Sequence, residues 1–187
     1  MTTQLEAAPL DLAAVEEFAG KVAVDLTAAY NGVLIYLGDR LGLWKALASL
    51  DAATSAELAQ HTGLAERHLR EGLSAQAAAG YVSYDAATER FSLPAEHATV
   101  VADDDSPAFG VAAYEIIAAV WASADQLAHA YATGEGVGWH DHDPRLFTGV
   151  DRFYRTYYRT SLLTEWLPAV EGLVERLQAG IRVLDVG

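Results

Sequence analysis

Two short stretches of this chain carry residue types that could do chemistry, and a third could line a pocket. Trp139-His140-Asp141-His142-Asp143 sets two imidazoles among carboxylates. Histidines with flanking acids could ligate a metal, but an i, i+2 pair in a loop is an unspecific ligand spacing. The alternative is a polar loop that closes over a pocket, with His140 or His142 as a general-base candidate and no metal bound. The second stretch is Gly180-Ile181-Arg182-Val183-Leu184-Asp185-Val186-Gly187, a short apolar run entered through a helix-stopping glycine. That pattern reads as a buried parallel strand. Closing it on Asp185-Val186-Gly187 offers a carboxylate that can accept from a polar ligand group and a glycine that lets backbone approach it. An ordinary strand with a turn glycine is equally compatible. The third stretch, Phe153 to Ser161, holds Phe153, Tyr157 and Ser161 at i, i+4 and i+8, on one helix face, with Tyr154 and Tyr158 beside them. An aromatic core stripe, a pocket wall and a stacking platform for single-stranded nucleic acid all fit that spacing.

The elements that must position these residues are mostly helical. Residues 1–9 read as a polar lead-in. From Asp11, a plausible N-cap, apolar residues support helix to about Tyr30, which Gly20 and Gly32 could divide. Leu34 to Leu50 is apolar nearly all round and must be buried on more than one side, within the monomer or against a second copy. A homodimer is the expectation. Ser55 is read as the cap of a short helix over 56–61, and a second helix runs from Glu66 to about Ala79 with Leu69, Leu73 and Ala77 on one face. Gly80 stops it, and two alternating strands, 81–84 and 90–93, flank an acidic turn. Helix, turn, helix and ribbon in that order resemble a winged helix. Glu96 to Asp105 is read as a linker whose acidic run precedes one long helix over 109–132.

The chain has 187 residues, 52% hydrophobic and 20% charged, with 26 acidic against 12 basic side chains and a net charge of -14. A sizeable core is expected. So acidic a surface repels phosphate backbones and anionic lipids, which argues against nucleic acid despite Arg67, His68 and Arg70 on the second helix of the motif. The absence of cysteine excludes disulfides and thiolate metal sites. No signal-peptide pattern and no membrane-length apolar run are present, so a cytoplasmic protein is expected.

Val183-Leu184-Asp185-Val186-Gly187 resembles the first motif of class I S-adenosylmethionine-dependent methyltransferases. The segment around Phe153, Tyr157 and Ser161 is similar to the helix before that motif in bacterial and plant-type small-molecule O-methyltransferases, many of which carry a winged-helix-like dimerisation domain. The resemblance covers most of residues 30–187. It implies a mainly α chain: a winged-helix dimerisation domain over 1–105, a helical linker and substrate cap over 106–180, and the first strand of a truncated Rossmann-like domain over 181–187. It further implies that Phe153 and Tyr157 border a small-molecule acceptor, with Tyr154 and Trp139 as further candidates for its wall. Ser161, Asp185 and Gly187 would lie towards S-adenosylmethionine. The family more often has a flexible apolar side chain where this chain has Tyr157. The family's motif continues through further glycines, so a chain cut inside it is expected to have no appreciable methyl-transfer activity by itself. A complete winged-helix regulator, or a dimeric small-molecule-binding module without catalysis, is the alternative.

Overall fold

The computed structural model describes residues 10–186. The lead-in over 1–9 and Gly187 lie outside the described residues. In chain order come α1 (Leu12–Arg40), α2 (Leu43–Ser49), α3 (Ser55–Thr62), α4 (Glu66–Ala78), β1 (Ser83–Asp85), β2 (Arg90–Ser92) and α5 (Ala95–Val101). They are followed by α6 (Ala113–Ala122), α7 (Ala124–Thr133), a 3-10 turn (Trp139–Asp141), α8 (Arg145–Ser161), a π turn (Leu162–Trp166) and α9 (Leu173–Gln178). The chain is mainly helical and carries a winged helix-turn-helix.

Asp11 does cap α1, its carboxylate accepting from the amides of Ala13 and Ala14 at 3.0 and 3.3 Å. Neither Gly20 nor Gly32 divides the helix. An interior glycine costs only about 1 kcal/mol, which the helix-forming residues around it absorb. Gly32 has a packing role as well: a Cβ there would meet the Tyr114 ring of α6 at 3.2 Å. α1 runs into α2 through Gly42, whose φ of +69° suits glycine.

The winged helix follows the predicted order, with a different cap on α3. Thr54, not Ser55, caps α3, because Glu57 stands three residues after Thr54 and closes a capping box (Glu57 amide to Thr54 Oγ1 3.2 Å; Thr54 amide to Glu57 carboxylate 2.8 Å). The strands pair antiparallel in the register Ser83 with Ser92, Tyr84 with Phe91 and Asp85 with Arg90. Ala53 adds a bridge on the other side of Phe91. Leu58, Leu69, Leu73, Val82 and Phe91 bury their side chains together with Ile35, Trp44 and Leu47 from α1 and α2. The Trp44 indole donates to the Ile35 carbonyl at 3.2 Å, so its one polar atom is satisfied inside the core.

Three expectations need correction. The stretch 96–105 is not an open linker: α5 forms within it, Val101 is buried, and Asp104 is held by cations distant in sequence. The single helix over 109–132 is broken at Ser123, which is buried and donates its hydroxyl back to the Ala119 carbonyl at 3.1 Å. The Ser123 amide also bonds the Ala119 carbonyl at 3.1 Å. Residues 181–186 form no strand among the described residues, and Leu184 is 84% exposed. A strand needs a neighbour to complete its ladder, and the sheet among the described residues consists of β1 and β2. Gly180, at φ +86°, does terminate the helical region as expected.

Candidate functional site

α8 is positioned from its first turn. The Asp143 carboxylate accepts from the Arg145 amide at 3.0 Å and from the same residue's guanidinium at 2.8 and 2.7 Å. The Arg145 side-chain bonds, joined by the amide, hold the Asp143 carboxyl down at about 2. Asp143 and the Tyr36 hydroxyl together push Arg145 above its ordinary range. Gly149 then lets α8 lie close against α6, since a Cβ there would meet the Ile116 amide nitrogen at 2.9 Å.

One turn on, Arg152 makes a two-pronged contact with Asp39 of α1 at 2.7 and 2.9 Å. It also reaches Glu115 and Asp104 at 3.4 Å each and lies over the Phe109 ring at 5.6 Å. The Asp39 side chain is only 9% exposed, and that of Glu115 17%. Its hydrogen bonds to the Asp39 carboxylate raise the Arg152 guanidinium, against a partial burial that would lower it. Asp104 is pushed up by partial burial, but its ion pairs with Lys45 and Arg152 outweigh that and keep it below the usual carboxylate range. The buried Thr156 hydroxyl donates to the Asp104 carbonyl at 3.0 Å, and Arg159 pairs with Asp105. Beside this polar anchor opens a cleft of about 550 Å³ lined by Tyr36, Arg40, Lys45, Glu115, Arg145 and Arg152 among others.

Of the residues singled out in the sequence, Phe153, Tyr154 and Tyr157 come together, with ring centroids 5.1 to 6.4 Å apart. Phe153 packs partly against the core, while Tyr154 and Tyr157 remain open to solvent. Ser161 is the half-buried last residue of α8. Trp139 packs edge-on against Phe147 and His142, at 5.1 and 5.8 Å, rather than on the Phe153 group. His140 is exposed, 3.6 Å from the Asp141 carboxylate. Asp185 is exposed on the unpaired terminal segment. No group of three or more His, Asp or Glu residues among the described residues is arranged to hold a metal ion. No described helix is long and apolar enough to cross a membrane.

The Asp39–Arg152 anchor was missed in the sequence. Its signal was Asp39, the one carboxylate in the run from Leu34 to Leu50, whose other charges are Arg40 and Lys45, since a charge on a buried helix requires a partner.

Residues 29–103 match the model of the Rv2258c-like winged HTH domain. No curated protein matches the chain in sequence. Among solved structures, the mitomycin 7-O-methyltransferase MmcR aligns with 80% of this chain and 47% of its own at 25% identity, with a TM-score of 0.61. PigF, solved with SAH, aligns with 81% of this chain and 48% of its own (15% identity, TM-score 0.60). The N,N-8-amino-8-demethyl-D-riboflavin dimethyltransferase RosA from Streptomyces davawensis gives the same coverages, with 21% identity and a TM-score of 0.58. The chain spans about half the length of these structures.

Proposed function

We infer that this chain is the dimerisation and substrate-cap portion of an S-adenosylmethionine-dependent methyltransferase that modifies a small molecule at oxygen. The observation that carries this is the alignment with MmcR, which takes in the winged helix and continues beyond it. In this reading residues 1–105 mediate pairing of two copies, 106–180 cap the acceptor, and 181–187 lead into the cofactor fold. Phe153, Tyr154 and Tyr157 form one wall of the acceptor pocket and Trp139 a second, separate aromatic contact. His142, packed against Trp139, is the better placed of the two base candidates, since His140 faces solvent. This half contributes orientation of the acceptor.

Ser161, Asp185 and Gly187 are the residues assigned towards S-adenosylmethionine. Ser161 ends α8, and Asp185 is exposed on the segment that follows α9. In this reading the chemistry of transfer belongs to the part of the methyltransferase fold that this chain does not span. The test is calorimetric titration of S-adenosylmethionine into this chain and into the product of the coding sequence extended past Gly187. Binding by the extended product alone, with no turnover by the 187-residue chain, is expected. Turnover by the chain alone overturns the assignment.

The winged HTH match favours one second reading, a duplex-binding regulator. Arg90, the only cation of the ribbon, is occupied by the Ala52 carbonyl at 2.9 Å and by Glu57 at 2.7 Å. Arg70 lies 3.8 Å from Glu66 on its own helix. Phosphate contacts need a surplus of cations, so this arrangement supports the methyltransferase reading over the regulator. Salt-sensitive binding to duplex DNA would reverse that order.

A further inference from the structure

α8 has two faces. Arg152, Thr156 and Arg159, at i, i+4 and i+7, share one side of the helix and meet Asp39, the Asp104 carbonyl and Asp105. Phe153 and Tyr157 lie about 100° further round, with Tyr154 and Ser161 beyond them. The acidic turn at 103–105, which the sequence offered as part of a linker, is thus the receptor for the basic face of α8. Asp104 is engaged twice by this helix, through its carboxylate with Arg152 and through its carbonyl with Thr156.

Gly149, close against Ile116, limits rotation near the start of α8, and the polar contacts of Arg152 and Thr156 act further along it. A roll by one residue, about 100°, would carry Phe153 to the place of Arg152 and turn Tyr157 out of its present alignment. The two-pronged bond to Asp39 forbids that roll, because it has a fixed planar geometry and its carboxylate is nearly enclosed. We propose that Arg152, seated on Asp39 and Asp104 with Thr156 as a second pin, is the positioning residue that sets the rotational register of α8 and so selects which aromatic side chains form the acceptor wall. Its bearing on substrate rests on Phe153 and Tyr157 bordering the acceptor; its structural content does not.

The experiment uses the 187-residue chain labelled with fluorotyrosine and needs no substrate. Fluorine resonances of Tyr154 and Tyr157 are recorded with amide hydrogen exchange in the parent protein and in Arg152→Ala, Arg152→Lys and Thr156→Val. Arg152→Ala is expected to move both resonances and to speed exchange over 145–161 about tenfold, with α3 and α4 still protected. Arg152→Lys should restore protection only in part, since an ammonium cannot reproduce the paired geometry. Thr156→Val, which keeps side-chain shape, should shift the Tyr157 resonance in a folded protein even if Arg152→Ala fails to fold. Unmoved Tyr154 and Tyr157 resonances in folded variants, or exchange that rises equally along the whole chain, overturns the proposal. Failure of S-adenosylmethionine binding in the extended protein would overturn the methyltransferase reading and leave these resonances unaffected.

Discussion

Asp143 donates nothing and accepts three times from one neighbour, Arg145, which makes it a measurable reporter of the start of α8. Its folded value of about 2 lies below the ordinary aspartate value near 3.9, so the contact favours the folded chain above that ordinary value. The contribution is lost as pH falls from about 4 through about 2. Carbon NMR of the Asp143 carboxyl should show a midpoint near 2, and Arg145→Ala should raise it towards the ordinary range but not fully, because the amide of residue 145 still donates. Tyr81 shifts the other way. Burial, aided by the Tyr114 hydroxyl 3.4 Å away, lifts its phenol to about 12. A raised folded value means that its contribution is complete below about pH 10 and disappears as pH climbs through about 12. Ultraviolet titration of Tyr114→Phe should find Tyr81 still raised, because burial is the larger cause, but less so.

At the scale of elements, the capping box at α3 and the close approach of α6 to α8 are the sensitive joints. Thr54→Ala removes one reciprocal bond and should cost about 1 kcal/mol, read as a fall of about 2–4 °C in Tm. Gly149→Ala would ordinarily gain about 1 kcal/mol of helix propensity. Here the new methyl meets the Ile116 backbone and side chain at 2.9 Å, so a net loss of about 1–2 kcal/mol is expected from thermal unfolding. The winged helix was legible because its signals are local: Leu69 and Leu73 repeat every helical turn, Gly80 stops the helix, and the ribbon alternates. The Thr54 cap was legible too, in the spacing to Glu57, and lost only because Ser55 offers the same hydroxyl one residue later. Other features depend on partners that no local pattern can contain. Asp39 and Arg152 are 113 residues apart. The break at Ser123 has no punctuating glycine or proline to announce it, and the strand expected over 181–187 requires a neighbour that the local pattern does not specify. The aromatic face of α8 could be found from spacing; what holds it in place could not.

For the whole molecule, the governing feature is an apolar ridge that the described fold leaves uncovered. Val15, Phe18, Val22, Leu26 and Val33 recur along one side of α1, all exposed. Exposed apolar surface of this extent marks an interface, and a second copy is the occupant that the proposed function calls for. Light scattering should give twice the chain mass. Phe18→Glu combined with Val22→Glu should give a monomer with unchanged helical circular dichroism, because neither side chain supports the fold of its own chain. A parent protein that is monomeric at micromolar concentration would remove the pairing role from residues 1–105.

α1 is also unbroken over 29 residues, a rod of about 43 Å at 1.5 Å per residue. The ridge occupies its outer length, and Asp39, the seat of Arg152, lies one residue from its inner end. In the proposed dimer, a stiff rod held by a second copy at one end and by α8 at the other would act as a lever. Any change in the angle at which two copies meet would reach Asp39 as torque and be felt in the aromatic wall of each. The two sites of a pair would therefore be tuned together, and a flexible joint placed at Gly20 would be the way to make them independent.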